Sequence, residues 1–331
     1  MKLKILFVVA LIFLPLLTCS VEGSGTDLKS SVVFIENIDD LKVEVSDFGL
    51  IGFSQEVIRD LTSEDYQVTK DIITSGNLVV VEGDATQLSC LGTSIICNPN
   101  STYSAIKYDN GIMHYFSTNC TEAKLQEKLN SWQSSISTLS SDIPTATFTE
   151  SDEWDEGSLT VTNRYYYLGE QFGYKYYGVR QTLQAQSVSG WKTADLISEC
   201  KVDKLNNLMN LVESSPADTY EMKSVTYSVN LSIGGLDAGI SWQCETPPVL
   251  IHNESNNADD FYKIWFDVDE DTVRDHATVE PGFMAKVSTS SMFQTEETMT
   301  VQFEGPYNGI WPWDPKTQIK SHTLTVHAIL V

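Results

Sequence analysis

The chain has 331 residues, of which 41% are hydrophobic, and its 45 acidic and 21 basic residues give a formal net charge of −24. This length allows two domains with separate cores, and the apolar fraction is ordinary for a globular protein. Nucleic acid is excluded as a partner, because its binding requires a basic surface. Anionic lipid headgroups are disfavoured for the same reason, and the charge favours solubility through self-repulsion.

The N-terminus has the layout of a secretory signal peptide. A positively charged start and an apolar run at residues 5–17 are followed by small and polar residues up to Gly23. The run is shorter than the roughly 20 residues that a membrane-spanning helix needs. We therefore predict that residues 1–23 are removed, that the chain is secreted, and that no transmembrane anchor remains. Lipid attachment at Cys19 is less favoured, because Thr18 departs from the small residue expected before a lipoprotein cysteine.

Residues 24–140 are predicted to form a small α/β domain. Short apolar runs at 32–35 and 78–81 are typical of buried strands. Segments 54–61 and 63–74 between them have helical periodicity. A strand, a helical crossover and a second strand indicate a parallel pair with a right-handed connection.

A hairpin and a helix are predicted next. Asn110-Gly111 between two β-rich runs indicates a tight hairpin turn. Asn119, with Glu122 three residues later, is expected to cap the helix that follows. Apolar residues at steps of four and three define one face of this helix: Leu125, Leu129, Trp132, Ile136 and Leu139. We interpret that face as core packing, with docking on a partner as the alternative.

The second half of the chain differs in composition. Periodicity is lost at 141–157, which we interpret as an acidic linker. Residues 158–331 are predicted to be nearly all β, with strict alternation at 225–233 and 324–330 and one short helix near 202–212. The predicted fold class is therefore α+β with two domains, a small α/β N-terminal domain followed by an antiparallel β-sandwich.

Cysteine usage follows from the predicted compartment. In an oxidising environment pairing is the default. We predict a Cys200–Cys244 bridge and a second bridge within the first half, assigned to Cys90 and Cys97, which leaves Cys120 over. Four Asn-x-Ser/Thr sequons make the chain a possible glycoprotein: Asn100, Asn119, Asn230 and Asn253.

The densest acidic segment is the candidate metal site. Asp267, Asp269 and Asp271 alternate along the chain, and carboxylate oxygens are the ligands that Ca²⁺ prefers. An EF-hand is excluded, because Thr272 and Thr278 stand where that loop requires Gly and Glu. A solvated acidic turn is the favoured interpretation, so no cofactor is predicted, and calcium is the alternative.

An aromatic, turn-rich segment near the C-terminus is the candidate ligand contact. Exposed rings beside polar groups stack on sugars or bind protein partners. The alternative is that its two tryptophans fill one end of the core. The candidate contact residues are Tyr307, Asn308, Trp311, Trp313 and Asp314.

Residues 224–242 carry a third pattern. Two alternating runs flank Gly234-Gly235, and one face of the resulting hairpin is rich in Ser and Thr. Pore-forming proteins build barrels from hairpins with one polar and one lipid-facing side. A sandwich hairpin shows the same alternation.

No catalytic residues are singled out. The chain lacks the G-x-S-x-G, H-E-x-x-H and C-x-x-C motifs. We interpret the protein as a non-enzymatic, secreted or surface-associated binding module whose partner is a glycan or a cell-surface protein. The first alternative is a pore-forming or membrane-perturbing protein that uses the hairpin, and the second is a secreted hydrolase.

Overall fold

The computed structural model describes residues 32, 34–35, 50–86, 94–136, 143–217, 225–233, 236–244, 249–268, 274–306 and 317–331. The described part is mostly β, with strands in several sheets and few helices. Its helical elements are α1 (Gln55–Arg59), α2 (Ser63–Thr74), α3 (Glu122–Ile136) and a 3-10 turn (Asn257–Asp259).

The strands, in chain order, are β1 (Phe34–Ile35), β2 (Leu50–Phe53), β3 (Leu78–Glu82), β4 (Ile95–Cys97), β5 (Tyr103–Asp109), β6 (Ile112–Thr118), β7 (Ala146–Trp154), β8 (Gly157–Gln171), β9 (Tyr174–Ser187), β10 (Lys192–Lys201), β11 (Met209–Ser215), β12 (Val225–Ile233), β13 (Leu236–Cys244), β14 (Leu250–Asn253), β15 (Phe261–Asp267), β16 (His276–Val279), β17 (Gly282–Ser288), β18 (Phe293–Pro306) and β19 (Thr317–Leu330).

Three sheets are formed by these strands. The larger sheet has 11 strands in the order β1-β2-β3-β5-β6-β7-β8-β9-β17-β11, with β16 also paired to β9. It is mixed, because β1–β2, β2–β3 and β6–β7 are parallel pairs. The second sheet has six antiparallel strands in the order β14-β15-β10-β18-β19-β4. The third consists of β12 and β13.

The main core lies between the two large sheets. Tyr165 of β8 contacts Phe293 of β18 with ring centroids 6.3 Å apart, and Tyr262 of β15 contacts Phe283 of β17 at 4.6 Å. All four rings are fully buried. A smaller core forms where α3 covers the other face of the larger sheet. The apolar side of an amphipathic helix and the apolar face of a β-sheet are buried when the two pack together.

A buried polar network joins the large sheets inside the main core. The fully buried carboxylate of Glu297 accepts four hydrogen bonds: from Asn163 and Gln181 at Oε2 (2.7 and 3.0 Å), and from Tyr165 and Thr295 at Oε1 (3.0 and 2.8 Å). Burial raises the pKa of Glu297 to about 7, although the hydrogen bonds act in the opposite direction. Glu297 is therefore a core carboxyl group that titrates near neutral pH, and burial also raises the pKa of the fully buried Glu150, to about 8.

Several local predictions are confirmed. Asn110 and Gly111 have φ of 50° and 87° and connect β5 to β6, as the Asn-Gly turn predicts. Helix α3 buries four of the five residues of its predicted apolar face, Leu125, Leu129, Trp132 and Ile136, and the fifth, Leu139, lies outside the described residues. Asn119 does not cap this helix: its Oδ1 accepts a hydrogen bond from the backbone N–H of Thr102 at 3.0 Å.

Two other predictions are wrong. The runs at 32–35 and 78–81 are not neighbours, because β2 lies between β1 and β3 and is parallel to both. The helix predicted near 202–212 is absent from this described segment, which forms turns and then strand β11. The apolar residues of this segment fit a strand as well as a helix, and pairing with β17 favours the strand.

The predicted arrangement of two separate domains is not confirmed. Residues 32–331 form one compact unit. Most of the predicted linker, 141–157, is strand β7, which pairs with β6 on one side and β8 on the other. The larger sheet therefore continues through the predicted boundary.

Candidate functional site

The hairpin β12–β13 differs from the other strands of the described fold in its strand pairing. Its two strands, each of nine residues, pair with each other and belong to neither large sheet. It contacts β8, β11 and β17 of the larger sheet. Because an isolated two-stranded hairpin is at best marginally stable in water, this one depends on the surface on which it packs.

The register of the hairpin sorts its residues by polarity. Because paired positions of antiparallel strands share a face, this register gives one face that is apolar in sequence and one that is polar. The apolar pairs are Val225–Cys244, Tyr227–Trp242, Val229–Ile240, Leu231–Ala238 and Ile233–Leu236. The alternate pairs are Thr226–Gln243, Ser228–Ser241, Asn230–Gly239 and Ser232–Asp237.

Burial in the middle of the hairpin follows the same division. Val229 and Trp242 are 0% and 4% exposed, and Ile240 is half-buried. Asn230 and Ser241, on the alternate positions, are exposed. Among the hairpin side chains that the structure describes, the apolar ones at 229, 240 and 242 are therefore packed on the protein, whereas Asn230 and Ser241 are exposed and Ser228 is half-buried.

Two glycines of the larger sheet receive the apolar face, and we call Gly178 and Gly282 the glycine seat. A Cβ atom at Gly282 would lie 2.7 Å from the ring of Trp242 and 2.6 Å from the carbonyl oxygen of Val179. A Cβ atom at Gly178 would lie 3.0 Å from Cδ1 of Ile240. The absence of side chains at these positions lets the hairpin approach the sheet backbone closely.

Three polar contacts fix the docked position. The indole Nε1–H of Trp242 donates to the carbonyl oxygen of Glu280 at 2.9 Å, and the guanidinium of Arg180 lies 5.7 Å from the Trp242 ring centroid. The Arg180 guanidinium is itself paired with the Glu280 carboxylate at 2.8 Å. On the other strand, the backbone N–H of Asn230 donates to the Glu213 carboxylate at 2.7 Å. The hairpin is therefore held by side-chain contacts and not by a β-ladder.

The other sequence-predicted sites are only partly within the described residues. Tyr307, Asn308, Trp311, Trp313 and Asp314 lie outside them, so the aromatic ligand contact stays a prediction.

Of the predicted calcium ligands, only Asp267 is described. It lies at the end of β15, paired with Asp195 of β10, whereas Asp269 and Asp271 fall outside the described ranges. Within those ranges, no cluster of three or more His, Cys, Asp or Glu residues is arranged to hold a metal ion. The calcium site stays a prediction.

The cysteines of the described part differ from the predicted pairing. Cys97, Cys120 and Cys200 are free thiols, so neither the Cys90–Cys97 nor the Cys200–Cys244 bridge is seen. Cys200 is buried in the six-stranded sheet near Glu297, whereas Cys244 ends β13 in the separate hairpin sheet, and Cys90 is outside the described residues. Burial raises the pKa of the Cys97 thiol to about 12 and also raises the pKa of Cys120, which weakens both as nucleophiles.

The four sequons differ in accessibility. Asn100, Asn119 and Asn230 are exposed. Asn253 is half-buried, and its Nδ2, the atom that would carry a glycan, donates to the carbonyl oxygen of Pro216 at 2.8 Å. Glycosylation at Asn253 would require breaking this contact.

Comparisons with known proteins give limited information. No family model and no curated protein matches the chain. Among solved structures, a "pore forming protein" is 9% identical, with a TM-score of 0.38 over 54% of this chain and 89% of that chain. Clostridium perfringens delta-toxin is 11% identical, with a TM-score of 0.39 over 68% and 92%. The membrane-inserted form of Clostridium perfringens NetB toxin is 7% identical, with a TM-score of 0.29 over 54% and 93%.

At these TM-scores, the similarities establish neither a common fold nor a common function for this chain. None of the described helices is both long enough and apolar enough to cross a membrane.

Proposed function

We propose that the protein is a secreted pore-forming or membrane-perturbing protein and that the hairpin β12–β13 enters the bilayer. One observation carries the proposal. An amphipathic hairpin of two nine-residue strands is docked through apolar side chains and forms no β-ladder with either large sheet. A segment with this bonding can leave its docking surface without breaking a β-ladder of the main fold.

The dimensions of the hairpin fit this role. A transmembrane β-strand needs about 9–11 residues when tilted by about 45°. Each strand of the hairpin has nine residues, and the alternation of apolar and polar types runs through both. The hairpin is therefore long enough to span the hydrocarbon layer without recruiting residues of the large sheets.

The free energy of transfer from the protein surface to the bilayer also favours the hairpin over other strands as the inserting segment. Burial of Val229 or Trp242 is worth about 1.5–3 kcal/mol for each side chain whether the cover is protein or lipid. In the soluble state the larger sheet covers this face, and in a barrel the lipid covers it. The exposed residues Asn230 and Ser241 remain in water in both states, facing the lumen of a barrel.

A single inserted hairpin would leave two strand edges unpaired. Unsatisfied backbone groups cost several kcal/mol each in hydrocarbon, which is why membrane β-structures are closed barrels. We therefore expect several copies of the chain to contribute one hairpin each to a common barrel. The net charge of −24 favours zwitterionic over anionic membranes as the target.

A reversible staple between the hairpin and the glycine seat tests the proposal. A Cβ atom at position 178 lies 3.0–3.3 Å from the Ile240 side chain, so Gly178→Cys with Ile240→Cys places two thiols within reach of a disulfide. The wild-type protein should release dye from phosphatidylcholine vesicles. The oxidised double variant should release none, and dithiothreitol should restore release.

The two single-cysteine variants are the matched controls, since each carries one substitution and cannot form the staple. Both should release dye with and without oxidant. The proposal fails if the wild-type protein releases no dye from vesicles of any lipid composition. Dye release by the oxidised double variant at the rate of its reduced form would show that the hairpin is not the inserting segment.

A further inference from the structure

A polar cavity of about 330 Å³ lies on the face of the larger sheet that α3 covers. Trp132 and Ile136, near the C-terminal end of α3, form one wall. The floor is made by strands β7, β8 and β9, which present a group of hydroxyls: Thr147, Thr149, Thr162 and Thr182. Its volume falls in the range of about 300–1,000 Å³ that is usual for small-molecule sites.

Two arginines dominate the charge of this cavity. Arg164 of β8 and Arg180 of β9 are directly opposite in the antiparallel register, and both line the cavity. Like charges at directly opposed positions destabilise a sheet. In agreement, burial and the neighbouring Arg180 lower the pKa of Arg164.

Among the described residues that line the cavity, one carboxylate compensates the two guanidinium groups. Glu280 pairs with Arg180 at 2.8 Å and accepts a hydrogen bond from Thr182 at 3.2 Å. Arg164 donates to the Thr182 hydroxyl at 3.0 Å and forms no ion pair with any described residue. The Nε–H of Arg180 is buried and has no hydrogen-bond partner in the described structure.

The remaining cavity residues leave this charge uncompensated. His114 is buried, with its Nδ1 within 2.8 Å of the Thr147 hydroxyl, and burial lowers its pKa to about 4, so it is neutral at neutral pH. Gln184 is uncharged. The described lining of the cavity therefore carries one net positive charge, in a chain whose net charge is −24.

We infer that this cavity binds a small molecule bearing a phosphate or sulphate group and that Arg164 is its principal contact. A guanidinium offers a planar fork of N–H donors that matches two oxygens of an oxyanion. Thr182 already donates its hydroxyl proton to Glu280, but Thr149 and Thr162, whose hydroxyls lie 3.4 Å apart, can still offer one donor between them at the floor. The cavity is larger than the oxyanion alone, which leaves room beside Trp132 for the group that carries it. This inference does not depend on membrane insertion.

Thermal unfolding at constant ionic strength tests the inference. Sodium phosphate or sodium sulphate, exchanged for sodium chloride, should raise the Tm of the full chain in a saturable manner, because a ligand that binds only the native state stabilises it by mass action. Glycerol 3-phosphate and glucosamine 6-sulphate, titrated separately by calorimetry, distinguish a phosphate ester from a sulphate ester as the preferred form.

Arg164→Gln removes the proposed contact, and Arg59→Gln is its matched control because Arg59 is exposed on α1, outside the cavity. Arg164→Gln should weaken anion binding at least tenfold, and its Tm without anion should not fall, because it removes the repulsion from Arg180. Arg59→Gln should retain the anion response. If phosphate and sulphate shift the wild-type Tm no more than chloride does, or if Arg164→Gln responds as the wild type does, the inference is wrong.

Discussion

Truncation of Trp242 should release the hairpin without unfolding the protein. Replacing a buried Trp by Ala costs about 3–5 kcal/mol. For Trp242 this includes the hydrogen bond to Glu280 at 2.9 Å, worth about 0.5–1.5 kcal/mol, and the Arg180 contact at 5.7 Å, worth about 0.5–2 kcal/mol. Since the hairpin forms no β-ladder with either large sheet, we expect most of this loss to fall on its docking equilibrium.

A loss of about 3 kcal/mol increases the undocked population by roughly two orders of magnitude. Hydrogen exchange followed by mass spectrometry measures this directly. Peptides covering β12 and β13 should exchange about 100-fold faster in Trp242→Ala than in the wild type, under conditions in which the exchange rate is proportional to the undocked population. Peptides covering β10 and β18, in the middle of the six-stranded sheet, should exchange at the wild-type rate.

Trp242→Phe is the matched control, because it keeps a smaller aromatic ring and removes the N–H donor together with part of the indole that covers Gly282. It should cost less than Trp242→Ala and accelerate exchange of the hairpin by a smaller factor. The reasoning is refuted if Trp242→Ala accelerates exchange equally in the hairpin and in β10 and β18. That result would make the hairpin part of the cooperative core.

Three further predictions concern the hairpin face, the core carboxyl group and the helix. Val229→Lys should abolish dye release, because a Lys on the lipid face costs about 2–4 kcal/mol per strand at the bilayer centre. Asn230→Lys, on the opposite face, should keep dye release and shift the channel toward anion selectivity. The reverse pattern in vesicle leakage and bilayer recordings would contradict the assigned faces. The pKa of Glu297 is raised from 4.5 to about 7 in the folded state, so the unfolding free energy should fall by roughly 3 kcal/mol as pH rises through this window. Glu297→Gln should make that slope shallower in urea titrations and leave the contribution of the buried Glu150, whose pKa burial raises to about 8; an unchanged slope would refute the assignment. Leu129→Ala, at a fully buried position of α3, should lower the unfolding free energy by about 2–5 kcal/mol in the same titrations and should not accelerate hydrogen exchange of the hairpin. A loss below about 1 kcal/mol would contradict the place of Leu129 in the core.

Structural features that are determined by residues close together in the sequence could be predicted from it. The turn at Asn110-Gly111 needs only two residues that tolerate positive φ, and helix α3 needs only a 3.6-residue apolar period. The hairpin β12–β13 belongs to the same class, because its alternation and central turn determine its register. Its docking by side chains alone could not be predicted, since any sandwich hairpin shows the same alternation.

Features that depend on strand order could not be predicted from one sequence. Arg164 and Arg180 share a cavity only because β8 and β9 pair in one particular register, and Glu280 joins them from a segment about 100 residues later in the chain. The segment from Glu280 to Gly282 has no local periodicity that would mark it. Its role follows from its position beside β9, where the backbone N–H of Gln181 donates to the carbonyl oxygen of Pro281 at 2.9 Å.

The pairing of β4 with β19 has a consequence for the timing of folding. The register joins Cys97 to His327, so this part of the six-stranded sheet is built from segments about 230 residues apart. Pairings of such long range form slowly, because a large loop must close before any contact is gained. A nascent chain still emerging from the ribosome cannot complete this sheet until residue 330 has been synthesised. Early closure of the six-stranded sheet is therefore impossible for a growing chain.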